Sequence, residues 1–320
     1  MPQGERLAGL DRDGTSSARA PVVVGLGPVD PALVLPHLPE NVVFVVEPSA
    51  NDLAQADGAI VRAAYDVGRA LLARMPNLRV VARTGVGVDR VDVEACAEGG
   101  IAVAVTPGSN SRAVAEGAFG MIASLVKRVG ESNAFVASGR WGFEAVPVPG
   151  DLYGKTLAVL GYGRIGRIIS GFGEAFGMRV IVHDPYVQSE THENVSLTDA
   201  AREADAITLH LPGGGGELLP IELLRSARPG LVLVNCARAD LVDAETLRVA
   251  LDEGVLGGVG LDVFAAEPVQ GHPLAGDPRV LLSPHTTGLS EGAMVATFRM
   301  AAEAVTATLE GGSPAFAAQC

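Results

Sequence analysis

His285 in LLSPHTTG, Glu267 in LDVFAAEP and Arg238 in NCARADLVD each stand at or just beyond the end of a short apolar run. Together these residue types can move a proton and hold an anion. An imidazole titrates near neutrality, so it can give and retake a proton. A carboxylate at its other ring nitrogen orients the ring and balances its charge. A guanidinium stays charged and grips a carboxylate through two parallel hydrogen bonds. Taken singly, each is an ordinary surface or ion-pairing residue. Taken together they suit reduction of a 2-keto acid, with His285 as general acid/base, Glu267 as its partner and Arg238 as the carboxylate anchor.

Such a reduction also needs a hydride, and TLAVLGYGRIGRII (156–169) suggests its source. An apolar run leads into Gly161-Tyr162-Gly163-Arg164-Ile165-Gly166 and then into an amphipathic stretch. In a strand–turn–helix context, Gly161 permits the tight turn. Gly163 lets a pyrophosphate approach the backbone, and Gly166 lets helix and strand pack closely. The helix N-terminus offers amides and a positive dipole end to the anion, and Arg164 adds charge. A second apolar run ends at Asp184, 23 residues after Gly161. That is the place of an acid that takes ribose hydroxyls and repels a 2′-phosphate. The cofactor expected is therefore NAD.

The elements that must hold these residues alternate along the chain. Strand signals fall at 21–26, 41–46, 58–63, 78–83 and 101–105. After a long helical pattern over 112–129 they resume at 156–160, 179–182, 206–211, 231–236, 258–263 and 279–285. Residues 66–75 show helical spacing, Ser109, Asn110 and Ser111 offer N-caps, and about 290–310 reads as one helix. Two alternating series predict an α/β fold of two Rossmann-like, flavodoxin-like lobes with parallel sheets and a cleft between them.

Composition sets the limits. The 320 residues exceed one typical domain, and 48% are hydrophobic although only 4% are aromatic. The net charge of −13 disfavours nucleic acid and anionic membranes. Cys96, Cys236 and Cys320 are far apart and form no metal-ligand spacing, so neither a metal nor a disulfide framework is expected and a reducing cytoplasm fits. The first 20 residues lack an apolar core and read as a disordered tail rather than a signal peptide. No apolar run is long enough to span a bilayer.

The segments ARTGVGVDRVDVEA, TPGSNSRAVAEGAFGMI, LYGKTLAVLGYGRIGR, ADAITLHLP, NCARADLVDAETL, GLDVFAAEP and SPHTTG together resemble the D-isomer-specific 2-hydroxyacid dehydrogenase family, above all its phosphoglycerate dehydrogenase-like branch, from about residue 40 to 310. The resemblance implies an NAD-dependent, D-stereospecific oxidoreductase acting on a small 2-hydroxy or 2-keto acid, with Arg238, Glu267 and His285 as its catalytic set. It implies a substrate-binding domain from 21–107 and 290–320, and an NAD-binding domain over 108–289. It assigns the substrate carboxylate to the amides of Val86 and Gly87, a further substrate contact to Asn110, and a substrate phosphate to Arg62, with Arg83 a further candidate. To the cofactor it assigns His210, Leu211, Pro212, Cys236, Ala237 and Gly288, and it gives Asp262 the nicotinamide carboxamide. A homodimer built partly on the 112–129 helix is also implied.

The chain departs from that pattern in places. Ala63 stands where the branch usually has Ser, Ala239 replaces Gly, and LPGGGGELLP replaces a Thr-containing loop. The chain ends at Cys320, so no C-terminal regulatory domain is expected. Glyoxylate, hydroxypyruvate or a phosphonate or phosphite analogue are alternative substrates. A reading from another class is an NAD-sensing, corepressor-like binding protein, against which the intact Arg238, Glu267 and His285 argue.

Overall fold

The computed structural model describes residues 19–62, 65–142 and 148–318. The tail expected over 1–20 lies outside these residues except for its last two, as do Ala63 and Cys320. The chain forms two compact units, one from residues up to Asn110 together with Ser290 onward, the other from Ser111 to Leu289.

In the first unit, strands β1 (Val22–Leu26), β2 (Val43–Val46), β3 (Ala56–Val61), β4 (Val80–Arg83) and β5 (Ala102–Ala104) form one parallel sheet in the order β2-β1-β3-β4-β5. These strands are Val- and Ala-rich because both faces are covered. Val23, Ile60, Val80, Phe298 and Val305 pack on one face, the last two from helix Glu291–Leu309. Val24, Val61, Val81 and Cys96 pack on the other. Ser290 starts the Glu291–Leu309 helix by accepting from Ala293 N at 3.2 Å.

In the second unit, strands β6 (Thr156–Leu160), β7 (Arg179–His183), β8 (Glu193–Asn194), β9 (Ala206–Leu209), β10 (Leu231–Asn235), β11 (Leu256–Leu261) and β12 (Val280–Leu282) form a parallel sheet, ordered β12-β11-β10-β9-β6-β7-β8. The order reverses at β6: β7 lies on one side of it and β9 on the other. In open parallel sheets the crevice outside such a reversal is where ligands bind. Helix Ser111–Val126 lies across β10 and β11, where Gly258 and Gly260 make room for Leu125 and Met121.

Some local expectations are corrected. The 112–129 helix ends at Val126. Arg128 then takes a left-handed φ of 52° and a second helix begins at Val129. The 66–75 segment is α-helical only over Arg69–Leu72. Strands expected to reach Leu211 and His285 stop at Leu209 and Leu282. Ser109 spends its hydroxyl on the Thr106 carbonyl and on a bond accepted from Thr297 Oγ1. No helix among the described residues is long and apolar enough to cross a membrane.

Candidate active site

The glycine turn occupies the β6 carboxyl end, at the reversal. Gly161 has φ +102°, and a Cβ there would lie 2.6 Å from the His210 carbonyl carbon. A Cβ on Gly166 would collide with the Gly161 carbonyl oxygen. Gly163 differs, since a Cβ there would meet no atom within 4 Å. Gly161 and Gly166 are therefore needed by the fold, whereas Gly163 opens onto free space at the start of helix Arg164–Ala175. Helix N-termini carry amides without intrahelical partners, so this opening is a ready anion site. It fits a dinucleotide pyrophosphate.

Asp184 follows β7 directly. Its Oδ2 accepts from Tyr162 N at 2.7 Å, and its Oδ1 accepts from Tyr186 N at 2.8 Å and Val187 N at 3.0 Å. Three backbone amides thus fix the carboxylate beside the turn, leaving lone pairs for ribose hydroxyls. The Tyr162 hydroxyl bonds to His192 Nδ1 at 2.9 Å, tying the turn to the loop after Asp184. Arg164 is exposed and Ile165 half-buried at the start of the helix.

His210, Leu211 and Pro212 follow β9, the neighbour of β6. The His210 ring is held through Nε2 by Thr208 Oγ1 at 2.9 Å. Its buried Nδ1 has no hydrogen-bond partner among the described residues. Burial pushes the His210 pKa down to about 3, so the ring is neutral and takes no part in proton transfer near pH 7.

Adjacent strands β10, β11 and β12 lead to Arg238, Glu267 and His285. Parallel neighbours lie about 4.8 Å apart, so the three segments leave one edge of the sheet side by side. His285 Nδ1 lies 2.9 Å from Glu267 Oε2 and 3.2 Å from Oε1. Glu267 Oε1 also accepts from Phe264 N at 3.1 Å. His285 has φ 56°, a conformation costly for a side-chain-bearing residue and held here by its surroundings. Arg238 is exposed, with Nη1 donating to the Ala237 carbonyl at 2.8 Å. Buried Asn235 secures this segment: its Nδ2 donates to the Arg238 carbonyl at 2.8 Å and its Oδ1 accepts from Ala237 N at 3.0 Å.

Asp262 is 1% exposed. It accepts from Thr286 N at 2.9 Å, from Thr287 N at 3.2 Å, from Thr287 Oγ1 at 2.5 Å and from Ser283 Oγ. Its oxygens therefore hold the loop carrying His285 and Gly288. The sequence pointed to Asp262 as a nicotinamide contact and not as the holder of this loop, and it did not point to Ser283, Thr287, Asn235 or Thr208. Beside it, the Cys236 thiol is pushed up to about 12 by burial and by the Asp262 charge, against a bond from Thr287.

The remaining expected residues belong to the first unit. Arg62 follows β3. Burial lowers its pKa, its guanidinium lies 5.5 Å from the Phe298 ring centroid, and no acidic partner is seen among the described residues. Arg83 ends β4 and is buried. Val86 and Gly87 lie in the loop after it, with Val86 53% exposed. Asn110 directly precedes helix Ser111–Val126.

A parallel sheet reversing at a glycine turn, with a ribose-type acid one strand away, defines a dinucleotide-binding α/β protein. The family model described as D-isomer specific 2-hydroxyacid dehydrogenase, NAD binding domain, matches residues 119–287. The chain belongs to this family. It is 34% identical over 270 residues to a D-3-phosphoglycerate dehydrogenase of Methanocaldococcus jannaschii, covering 81% of this chain and 51% of that one. It is 36% identical over 258 residues to a glyoxylate reductase of Aeropyrum pernix, covering 76% and 77%. Its fold matches a D-lactate dehydrogenase of Aquifex aeolicus complexed with NAD and lactic acid, with a TM-score of 0.78, 26% identity and 91% and 96% coverage. The chain spans about half the length of the phosphoglycerate dehydrogenases it matches.

Proposed function

We propose that this protein interconverts a small D-2-hydroxy acid and the corresponding 2-keto acid with NAD(H). The observation that carries this reading is the His285–Glu267 pair, standing on the same sheet edge as the glycine turn and on the two strands next to the one that leads to Arg238. The amides of Gly161–Gly166 would hold the pyrophosphate and Asp184 the adenosine ribose. When bound, the nicotinamide supplies or takes the hydride. The chain's own residues do the rest. Glu267 occupies Nδ1 of His285, leaving Nε2 to exchange a proton with the substrate oxygen. Arg238 pairs with the substrate carboxylate and polarises the adjoining carbonyl.

Arg62, partly desolvated and without an acidic partner among the described residues, supports a substrate with a further anionic group. The names of the relatives put the keto acid corresponding to 3-phosphoglycerate, hydroxypyruvate and glyoxylate first on a panel of 2-keto acids. Each is assayed with NADH and NADPH by loss of reduced-nicotinamide absorbance. The expected result is turnover of at least one with NADH in preference to NADPH. Turnover of none, with NADH binding intact, would overturn the enzyme in favour of a cofactor-sensing protein. Exposed Val129, Val136, Trp141, Val148 and Tyr153 supply apolar surface that a second copy would bury. A homodimer is the expected assembly, checked by sedimentation.

A further inference from the structure

Four glycines, Gly213–Gly216, run beside the turn that carries Arg238. The two segments are laced together: Gly214 N donates to Asp240 Oδ2 at 2.5 Å, Leu218 N to the Leu241 carbonyl at 2.8 Å and Asp243 N to Glu217 Oε1 at 3.1 Å. A Cβ on Gly213 would overlap Asp240 Oδ1 and come within 2.9 Å of both Cβ and Cγ of Arg238. The Asp240 carboxylate could swing aside, but the root of Arg238 could not. Its carbonyl is pinned from the buried side by Asn235 Nδ2. Arg238 is thus confined between a buried amide side chain and a bare stretch of backbone.

We propose that Asp240 is a positioning residue for Arg238. By gripping the Gly214 amide, it holds the glycine loop against the base of the arginine and limits where the guanidinium can go. Gly213 is the complementary half of this clasp, since only a residue without Cβ fits there. An exposed arginine otherwise samples many rotamers, and pre-organisation lowers what must be lost when it binds a carboxylate. Gly214 and Gly216, at φ 91° and 83°, give the loop the shape this approach requires. The inference rests on the dehydrogenase reading for what Arg238 binds, not for the clasp itself.

The test compares Asp240→Ala, Asp240→Asn and Gly213→Ala with the wild type by two readouts. The first is the rate of phenylglyoxal modification of Arg238, measured by mass spectrometry against exposed Arg202 in the same molecule. The second is KM for the best 2-keto acid against KM for NADH. Asp240→Ala and Gly213→Ala are expected to change Arg238 labelling severalfold relative to Arg202. They should also raise the keto-acid KM about tenfold, as small misplacements of an anchor do, and leave the NADH KM in place. Asp240→Asn keeps an oxygen for the Gly214 amide and should restore both. Unchanged Arg238 labelling in Asp240→Ala, or an Asn variant behaving as the Ala variant, overturns the clasp. Should no 2-keto acid be turned over by the wild type, the dehydrogenase reading fails and the labelling alone decides the clasp. Should Gly213→Ala not fold, the Asp240 pair decides it.

Discussion

Asp262 offers a perturbation whose size follows from geometry. It is buried, and its carboxylate gathers two backbone amides and two hydroxyls. In Asp262→Asn one oxygen survives. Both amides already lie within reach of Oδ1, Thr286 N at 2.9 Å and Thr287 N at 3.3 Å, so they can share that oxygen. A hydroxyl facing the new NH2 can rotate to accept from it. What is lost is the charge assistance, about 1–2 kcal/mol. Asp262→Ala instead strands both amides in a dry site, at about 1–3 kcal/mol each, or about 2–6 kcal/mol together. Amide hydrogen exchange reads this locally. Thr286 and Thr287 should exchange about tenfold faster in the Asn variant and about a hundredfold or more faster in the Ala variant. Because His285 lies between Ser283 and Thr286, turnover should fall in the same order. Equal exchange in the two variants, or wild-type exchange in Asp262→Ala, would refute the role given to this carboxylate.

Three further outcomes are expected. His285→Ala should abolish turnover of the 2-keto acid while NADH binding, followed by nucleotide fluorescence, stays close to wild type; a wild-type kcat would sink the acid/base assignment. Gly163→Ala and Gly166→Ala should separate: the first meets open space and should fold normally but bind NADH weakly, whereas the second strikes the Gly161 carbonyl and should lower the unfolding temperature as well. His210 should make the fold acid-sensitive. Its folded pKa, about 3, lies below the ordinary imidazole value of 6.5, so the unfolded chain takes the proton first. That contribution is intact above about pH 6.5 and is lost as pH falls towards 3. His210→Asn should flatten the urea midpoint between neutral and acid pH, and an unchanged slope would refute the buried neutral ring.

Much of this architecture is legible in the sequence, and the exceptions have physical causes. Runs such as TLAVL and LVLVN are apolar on both faces because both faces are covered, and β6 and β10 are buried throughout. Strand β8 escaped notice because it is only Glu193–Asn194, exposed and polar. The break after Val126 left no trace in the apolar spacing, since Val129 falls in phase with the preceding helix although Arg128 turns the chain. The glycine turn was readable because strand, helix and acid recur at fixed offsets from it. The holding network was not: Asp262 meets Ser283 and Thr287 more than 20 positions away, and no local pattern reports such a pairing.

The Gly214–Asp240 contact belongs to the same unreadable class, and it gives the glycine run, one of the departures from the family pattern, a structural partner. The glycine run at 213–216 and Asp240 look unrelated in sequence, but their segments face each other in the fold. Bulk is absent where a Cβ on Gly213 would strike Asp240 and Arg238, and it is present on the opposing turn. A glycine-rich loop alone would be free to wander, because glycine loses the most conformational freedom on ordering. Because Asp240 holds the loop against Arg238, Gly213→Ala alone should harm Arg238 more than Gly213→Ala combined with Asp240→Ala, which lets the loop draw back.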